Sequence, residues 1–171
     1  PHTGAYILPE ETERTLQLLR WLDEEMEHRK NVISKSPFDN VYTYNGQSNS
    51  TVLPVILLVI DNFAEFKLVF EENLPELVSL AREGLPNGIN IVITSDVPGS
   101  VPNNLYSVFG GRLTLKLTND DYQSVLGVSV KGRPEAPGSG YITVGKEALA
   151  FQVAEPPGTI NENVGMLELI T

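Results

Sequence analysis

The chain has 171 residues with a formal net charge of -10, and at 41% hydrophobic and 20% charged it is ordinary globular material able to bury a core. Only 12 basic residues are present, which argues against nucleic acid as the main partner, because phosphate contacts need clustered Lys and Arg. Cysteine is absent and the histidines are His2 and His28; disulfides and thiolate chemistry are excluded, and a multi-histidine metal site is not expected. The longest apolar run, 52–60, is interrupted by Pro54 and is far below the roughly 20 residues of a membrane helix, so no direct membrane insertion is expected. No signal peptide is visible, and the first residue is Pro1 rather than Met.

Residues 1–9 read as a lead-in. Leu16, Leu19, Leu22 and Met26 then recur at spacings of three and four, and Leu18 and Trp21 broaden the stripe. This predicts a helix over 10–32 with Trp21 and Met26 in the core. Its acidic start suits the helix dipole, as do Arg29 and Lys30 near its end. Residues 34–51 are polar and turn-forming and read as a loop. The run VLPVILLVIDN reads as a strand buried on both faces and ending at Asp61. Residues 70–84 form the next predicted helix, stopped by Gly84 or Gly88, and 89–96 (INIVITSD) a second buried strand.

Residues 97–111 are irregular, with one helical turn expected near Leu105. RLTLKLT (112–118) alternates and reads as a third strand. Thr118 or Asn119 caps a short helix that Gly127 ends. After a Gly- and Pro-rich loop at 130–140, YITV and ALAFQVA form a hairpin around Gly145-Lys146-Glu147. The tail beyond Pro156 reads as a linker or as a last strand at 166–170. Two buried strands with a helix between them argue for an α/β fold with a parallel central sheet.

The sharpest chemical feature is a strand ending in an acid. It sets Asp61 at the carboxyl edge of the sheet, where open α/β sheets bind ligands. An Asp there can hold Mg²⁺, and a neighbouring acid can activate water. Asn62 occupies that neighbouring position, and an amide can position a water but not act as base. The competing reading is that Asp61 caps the segment after the strand. The stretch 140–146 matches GxxxxGK, but Glu147 replaces the Mg²⁺-binding Ser or Thr and the intervening residues read as a strand.

Several collinear segments resemble the FtsK/SpoIIIE ATPase family of DNA translocases and type VII secretion ATPases. LLRWLDEEMEHRK is similar to its W-x-x-x-E-M-E-x-R helix, TYN (43–45) to its Y-N element, and LPVILLVIDNFAEF to its proline-led Walker B strand. LAREGLPNGINIVITSDVP resembles the helix, glycine and strand that follow. GGRLTLKLTND resembles its arginine-led strand, and APGSGYITVGKEALAFQVA its closing hairpin.

The resemblance covers about 10–156 and implies a RecA-like P-loop NTPase-type α/β core, partial or degenerate, closing in a β-hairpin. Residues 157–171 lie outside it. It implies Mg²⁺ on Asp61, Asn62 in the place of the catalytic acid, and Ser95 and Asp96 near the γ-phosphate. It also implies Arg112 as a finger acting in trans, against which stands a surface Arg112 paired with Asp120 or Asp121.

The family's Walker A lies upstream of the EMEHRK helix and has no proper counterpart here, so the chain starts downstream of it or has lost it. Asn62 and the SDVP segment favour a catalytically weak or silent domain. Mg-ATP is then the cofactor of the intact family domain, and none is expected on this chain alone. The implied partners are a ring-type homo-oligomer or neighbouring ATPase domains, with a protein or peptide substrate favoured over DNA. The implied place is the cytoplasm, at the inner face of the membrane through a parent protein. A non-catalytic interaction or regulatory domain on the same scaffold is the alternative.

Overall fold

The computed structural model describes residues 3–47, 52–97, 99–117, 121–132 and 134–154. The chain divides into two compact units, Ile7–Phe109, and Gly110–Thr171 together with Pro1–Tyr6.

The first unit opens with α1, Thr12–Ser34. Its start is fixed by Glu11, whose carboxylate accepts the Leu8 N–H at 2.8 Å and Arg14 Nη1 at 2.5 Å. These contacts, the Leu8 bond first, hold the Glu11 carboxyl below its usual range. Leu19, Leu22, Met26, Arg29 and Ile33 form the buried stripe of α1, spaced three and four apart as an amphipathic helix requires. Met26 is in the core as expected, but Trp21 is 49% exposed. It lies one position off the stripe, which turns its side chain about 100° away from the face led by Leu22.

Arg29 also departs from the sequence reading. It does not serve the helix end; it is 1% exposed. Its Nε donates to Glu25 Oε1 at 2.7 Å and its Nη1 to the Asn87 carbonyl at 3.1 Å. Lys30 reaches Glu27 and Glu83 instead.

The segment expected to be a loop contains a helix, α2, Val41–Gln47. Asn40 Oδ1 accepts the N–H groups of Tyr42 at 3.0 Å and Thr43 at 2.9 Å, satisfying donors that a helix start leaves unpaired. Val41 and Tyr44 are buried with Ile33 and Leu53. Asn45 clamps the Leu53 backbone, donating to its carbonyl at 2.7 Å and accepting its N–H at 2.9 Å.

Next come β1 (Ile56–Ile60), α3 (Phe63–Val69), a 3₁₀ turn (Glu71–Asn73), α4 (Leu74–Glu83), a second 3₁₀ turn (Leu85–Asn87), β2 (Ile89–Ile93) and the short α5 (Asn103–Tyr106). The helical turn near Leu105 is thus present, while α3 lies where no helix was expected. β1 and β2 pair in parallel from Ile56↔Ile89 to Ile60↔Ile93. Gly88 makes the entry to β2 with φ +76°, and a Cβ there would fall 2.8 Å from Val41 Cγ1 and 3.1 Å from Arg29 Nη1, so glycine alone fits.

One face of this sheet meets Leu19, Leu22 and Met26 of α1, Leu77, Val78 and Leu80 of α4, Phe63 and Leu105. The expectation of burial on both faces does not hold. Leu57, Val59 and Val92, which share the other face, are 61%, 56% and 46% exposed. A continuous branched apolar run signals a parallel strand, but its composition does not say which face is covered.

The second unit holds β3 (Leu113–Leu115), α6 (Tyr122–Leu126), β4 (Ser139–Val144) and β5 (Glu147–Gln152). The three strands form an antiparallel sheet in the order β3-β4-β5. The expected hairpin is present, turning at Gly145 and Lys146 between Val144 and its partner Glu147. The GxxxxGK look-alike is therefore β4 and its turn. At Gly140 a Cβ would lie 2.0 Å from the Thr114 carbonyl oxygen and 2.8 Å from a Phe151 ring carbon; this glycine lets β3 and β5 close on β4. α6 packs Tyr122 and Leu126 on Tyr141 and stops at Gly127, which is left-handed. The expected cap at 118–119 and the strand at 166–170 lie outside the described residues. No described helix is long and apolar enough to cross a membrane.

Candidate functional site at the carboxyl edge of the parallel strands

β1 delivers Asp61 to solvent at its carboxyl end, and the chain then reverses into α3. The reversal is made at Asn62, with φ 55° and ψ 65°, the one described non-glycine residue with positive φ. Left-handed backbone is unfavourable for an L-residue, and asparagine tolerates it better than most.

Four hydrogen bonds to or from Thr94, the residue that follows β2, hold this turn. Thr94 N–H donates to the Ile60 carbonyl at 3.0 Å, and the Thr94 carbonyl accepts the Phe63 N–H at 2.8 Å. Its hydroxyl accepts the Asn62 N–H at 3.1 Å and donates to Asp61 Oδ1. The residue at the N-cap of α3 is Asn62, which makes no side-chain cap bond, while Asp61 Oδ1 is engaged by Thr94.

Ser95 and Asp96 sit just beyond Thr94, both exposed. The Ser95 hydroxyl is taken up locally: it accepts the Val97 N–H at 3.2 Å and shares a hydrogen with Ser100 Oγ at 2.8 Å. Asp61, Asn62 and Thr94 are thus in direct contact, while Ser95 shapes the loop beside them. Sequence reasoning passed over Thr94; the signal available was a hydroxyl residue at the end of the strand adjacent to an acid-ended strand.

Arg112 lies in the second unit, where its backbone N–H donates to Thr143 Oγ1 at 2.8 Å and its Nη1 to the Leu126 carbonyl at 3.1 Å. That carbonyl belongs to the C-terminal end of α6, the favourable place for a cation.

The described residues contain no group of three or more His, Asp or Glu side chains placed to hold a metal. A lone carboxylate such as that of Asp61 would serve only an ion whose other ligands come from elsewhere, as with nucleotide-bound Mg²⁺. Such an ion keeps most of its waters and takes one or two carboxylates plus phosphate oxygens. Thr94 engages Asp61 through Oδ1, so Oδ2 would be the oxygen offered to such an ion or to one of its waters.

The fold is the one found in solved ATPase domains of the EssC and EccC proteins. ATPases 2 and 3 of EssC from Geobacillus thermodenitrificans superpose with a TM-score of 0.79 at 23% identity, over 88% of this chain and 29% of that one. ATPases 2 and 3 of EccC from Thermomonospora curvata, solved with a signal sequence peptide, give 0.67 at 22% identity, over 86% of this chain and 27% of that one. The FtsK/SpoIIIE family model matches residues 1–153, and the chain belongs to that family. A Bacillus subtilis relative, the ESX secretion system protein YukB, is 28% identical over 169 residues, which are 97% of this chain but 11% of the relative's length.

Proposed function

We propose that this chain is the Walker B portion of an ATPase-type domain in a type VII secretion motor, and that the domain is catalytically weak or silent. The observation that carries the reading is Asn62. It stands beside Asp61 at the carboxyl edge, in the position of a catalytic acid, with a side chain that orients water but removes no proton. Asp61 is the Mg²⁺ ligand, Ser95 and Asp96 line the γ-phosphate side, and Arg112 reaches a neighbouring subunit only on leaving the Leu126 carbonyl that holds its Nη1. The chain alone binds no Mg-ATP; a phosphate loop from elsewhere must supply most of the affinity.

The domain comprises 10–156, in a ring-type oligomer or beside other ATPase domains, at the inner face of the membrane through its parent protein. The net charge of -10 and the peptide-bound EccC neighbour favour a protein or peptide substrate over DNA.

The test joins a relative's Walker A segment upstream of the chain and measures phosphate release. Release near background is expected, rising about tenfold or more on Asn62→Glu, as restoring a general base implies. Brisk release with Asn62 in place, lost on Asp61→Ala, would refute the silent reading.

A further inference from the structure

We propose that Thr94 is the positioning residue of the Asp61 site, fixing the Asp61 carboxylate and the Asn62 backbone as one unit; its bearing on a bound cation rests on the functional reading above. A threonine hydroxyl has a single hydrogen to donate. The Asn62 N–H points at the oxygen, so the hydroxyl hydrogen is directed to Asp61 Oδ1. The direction of both bonds is therefore set, and Asp61 is held as an acceptor with Oδ2 turned free.

The same hydroxyl bond holds the N–H of the residue carrying the left-handed φ. The two backbone bonds of Thr94, to Ile60 and Phe63, bracket the turn from either side. Asp61 and Asn62 thus cannot reorient independently of the end of β2. Ser95 does not share this role, because its hydroxyl is engaged with Val97 and Ser100.

The test compares Thr94→Val, which keeps the shape and removes the hydroxyl, with Thr94→Ser, which keeps the hydroxyl, in the 171-residue chain. Hydrogen exchange at the Asn62 amide is read first and needs no ligand. Thr94→Val should speed it about fivefold, the loss of one net hydrogen bond, with the Ile60–Phe63 backbone otherwise unchanged, and Thr94→Ser should restore the parent rate. Mn²⁺ alone is then titrated, reading paramagnetic broadening at the Asp61 and Asn62 amides. Thr94→Val should require severalfold more Mn²⁺ and Thr94→Ser should not.

Unchanged Asn62 exchange in Thr94→Val, or Thr94→Ser behaving like Val, overturns the proposal. If Mn²⁺ broadens neither amide in the unsubstituted chain, the cation reading of Asp61 fails, while the exchange measurement still decides the role of Thr94.

Discussion

Replacing Arg29 with alanine should be among the most destabilising single changes in the first unit. The guanidinium is 1% exposed and joins α1 to the turn that feeds β2. Truncation removes the packed stem, opens a cavity beside Gly88 and Val41, and strands the Asn87 carbonyl. Breaking a fully buried ion pair costs about 3–5 kcal/mol. Here the partner Glu25 remains 22% exposed and can turn to water, so the lower end applies, about 3 kcal/mol.

At roughly 2–4 °C per kcal/mol for a chain of this size, Tm should fall by about 6–12 °C. Glu25→Gln keeps an acceptor for Nε and should cost about 1 kcal/mol or less. Arg29→Met should fall between the two, filling the volume without the bond to Asn87. Thermal unfolding followed by circular dichroism reads all three. A shift under about 2 °C for Arg29→Ala, or an equal loss for Glu25→Gln, would refute the assignment of Arg29 as the tie between α1 and β2.

The Lys30–Glu83 pair makes stability pH-dependent at both ends. The Glu83 carboxyl is lowered chiefly by its hydrogen bond from Lys30, so its contribution is present above the ordinary carboxylate range and is lost as pH falls through the depressed value. The Lys30 ammonium is raised by Glu27 first and Glu83 next, so its contribution is complete below the ordinary lysine value and is lost as pH rises through the higher one. Both groups are partly exposed, so solvent screening holds each contribution to a few tenths of a kcal/mol, and Lys30→Met should flatten the acid limb of a Tm-against-pH curve. Gly140→Ala should cost about 3 kcal/mol or prevent β3 from pairing, since its Cβ would meet backbone 2.0 Å away; native hydrogen exchange across Leu113–Leu115 would report it, and parent-like protection there would count against the close packing.

What the sequence determined by itself is what local periodicity encodes. The three-four spacing from Leu16 to Met26 produced α1, the branched runs at 56–60 and 89–93 produced β1 and β2, and Gly145-Lys146 produced the hairpin, because each signal lies within one element. The collinear motifs gave the family for the same reason: they are patterns along the chain. Asp61 at a strand end and Asn62 beside it were legible as well.

Tertiary structure decided the rest. α2 forms despite a poor helical composition because Asn40 caps it and Val41 and Tyr44 bury against Ile33 and Leu53, and such packing overrides weak propensity. Arg29 is a buried tie only because Asn87, 58 residues away, presents a carbonyl to it. Which face of β1 and β2 is covered depends on where α1 and α4 pack, and the hydropathy of Leu57 or Val59 does not record it. Thr94 acts on Asp61 through the parallel register of Ile60 with Ile93, a pairing that brings residues 33 apart within one hydrogen bond and leaves no trace in either segment alone.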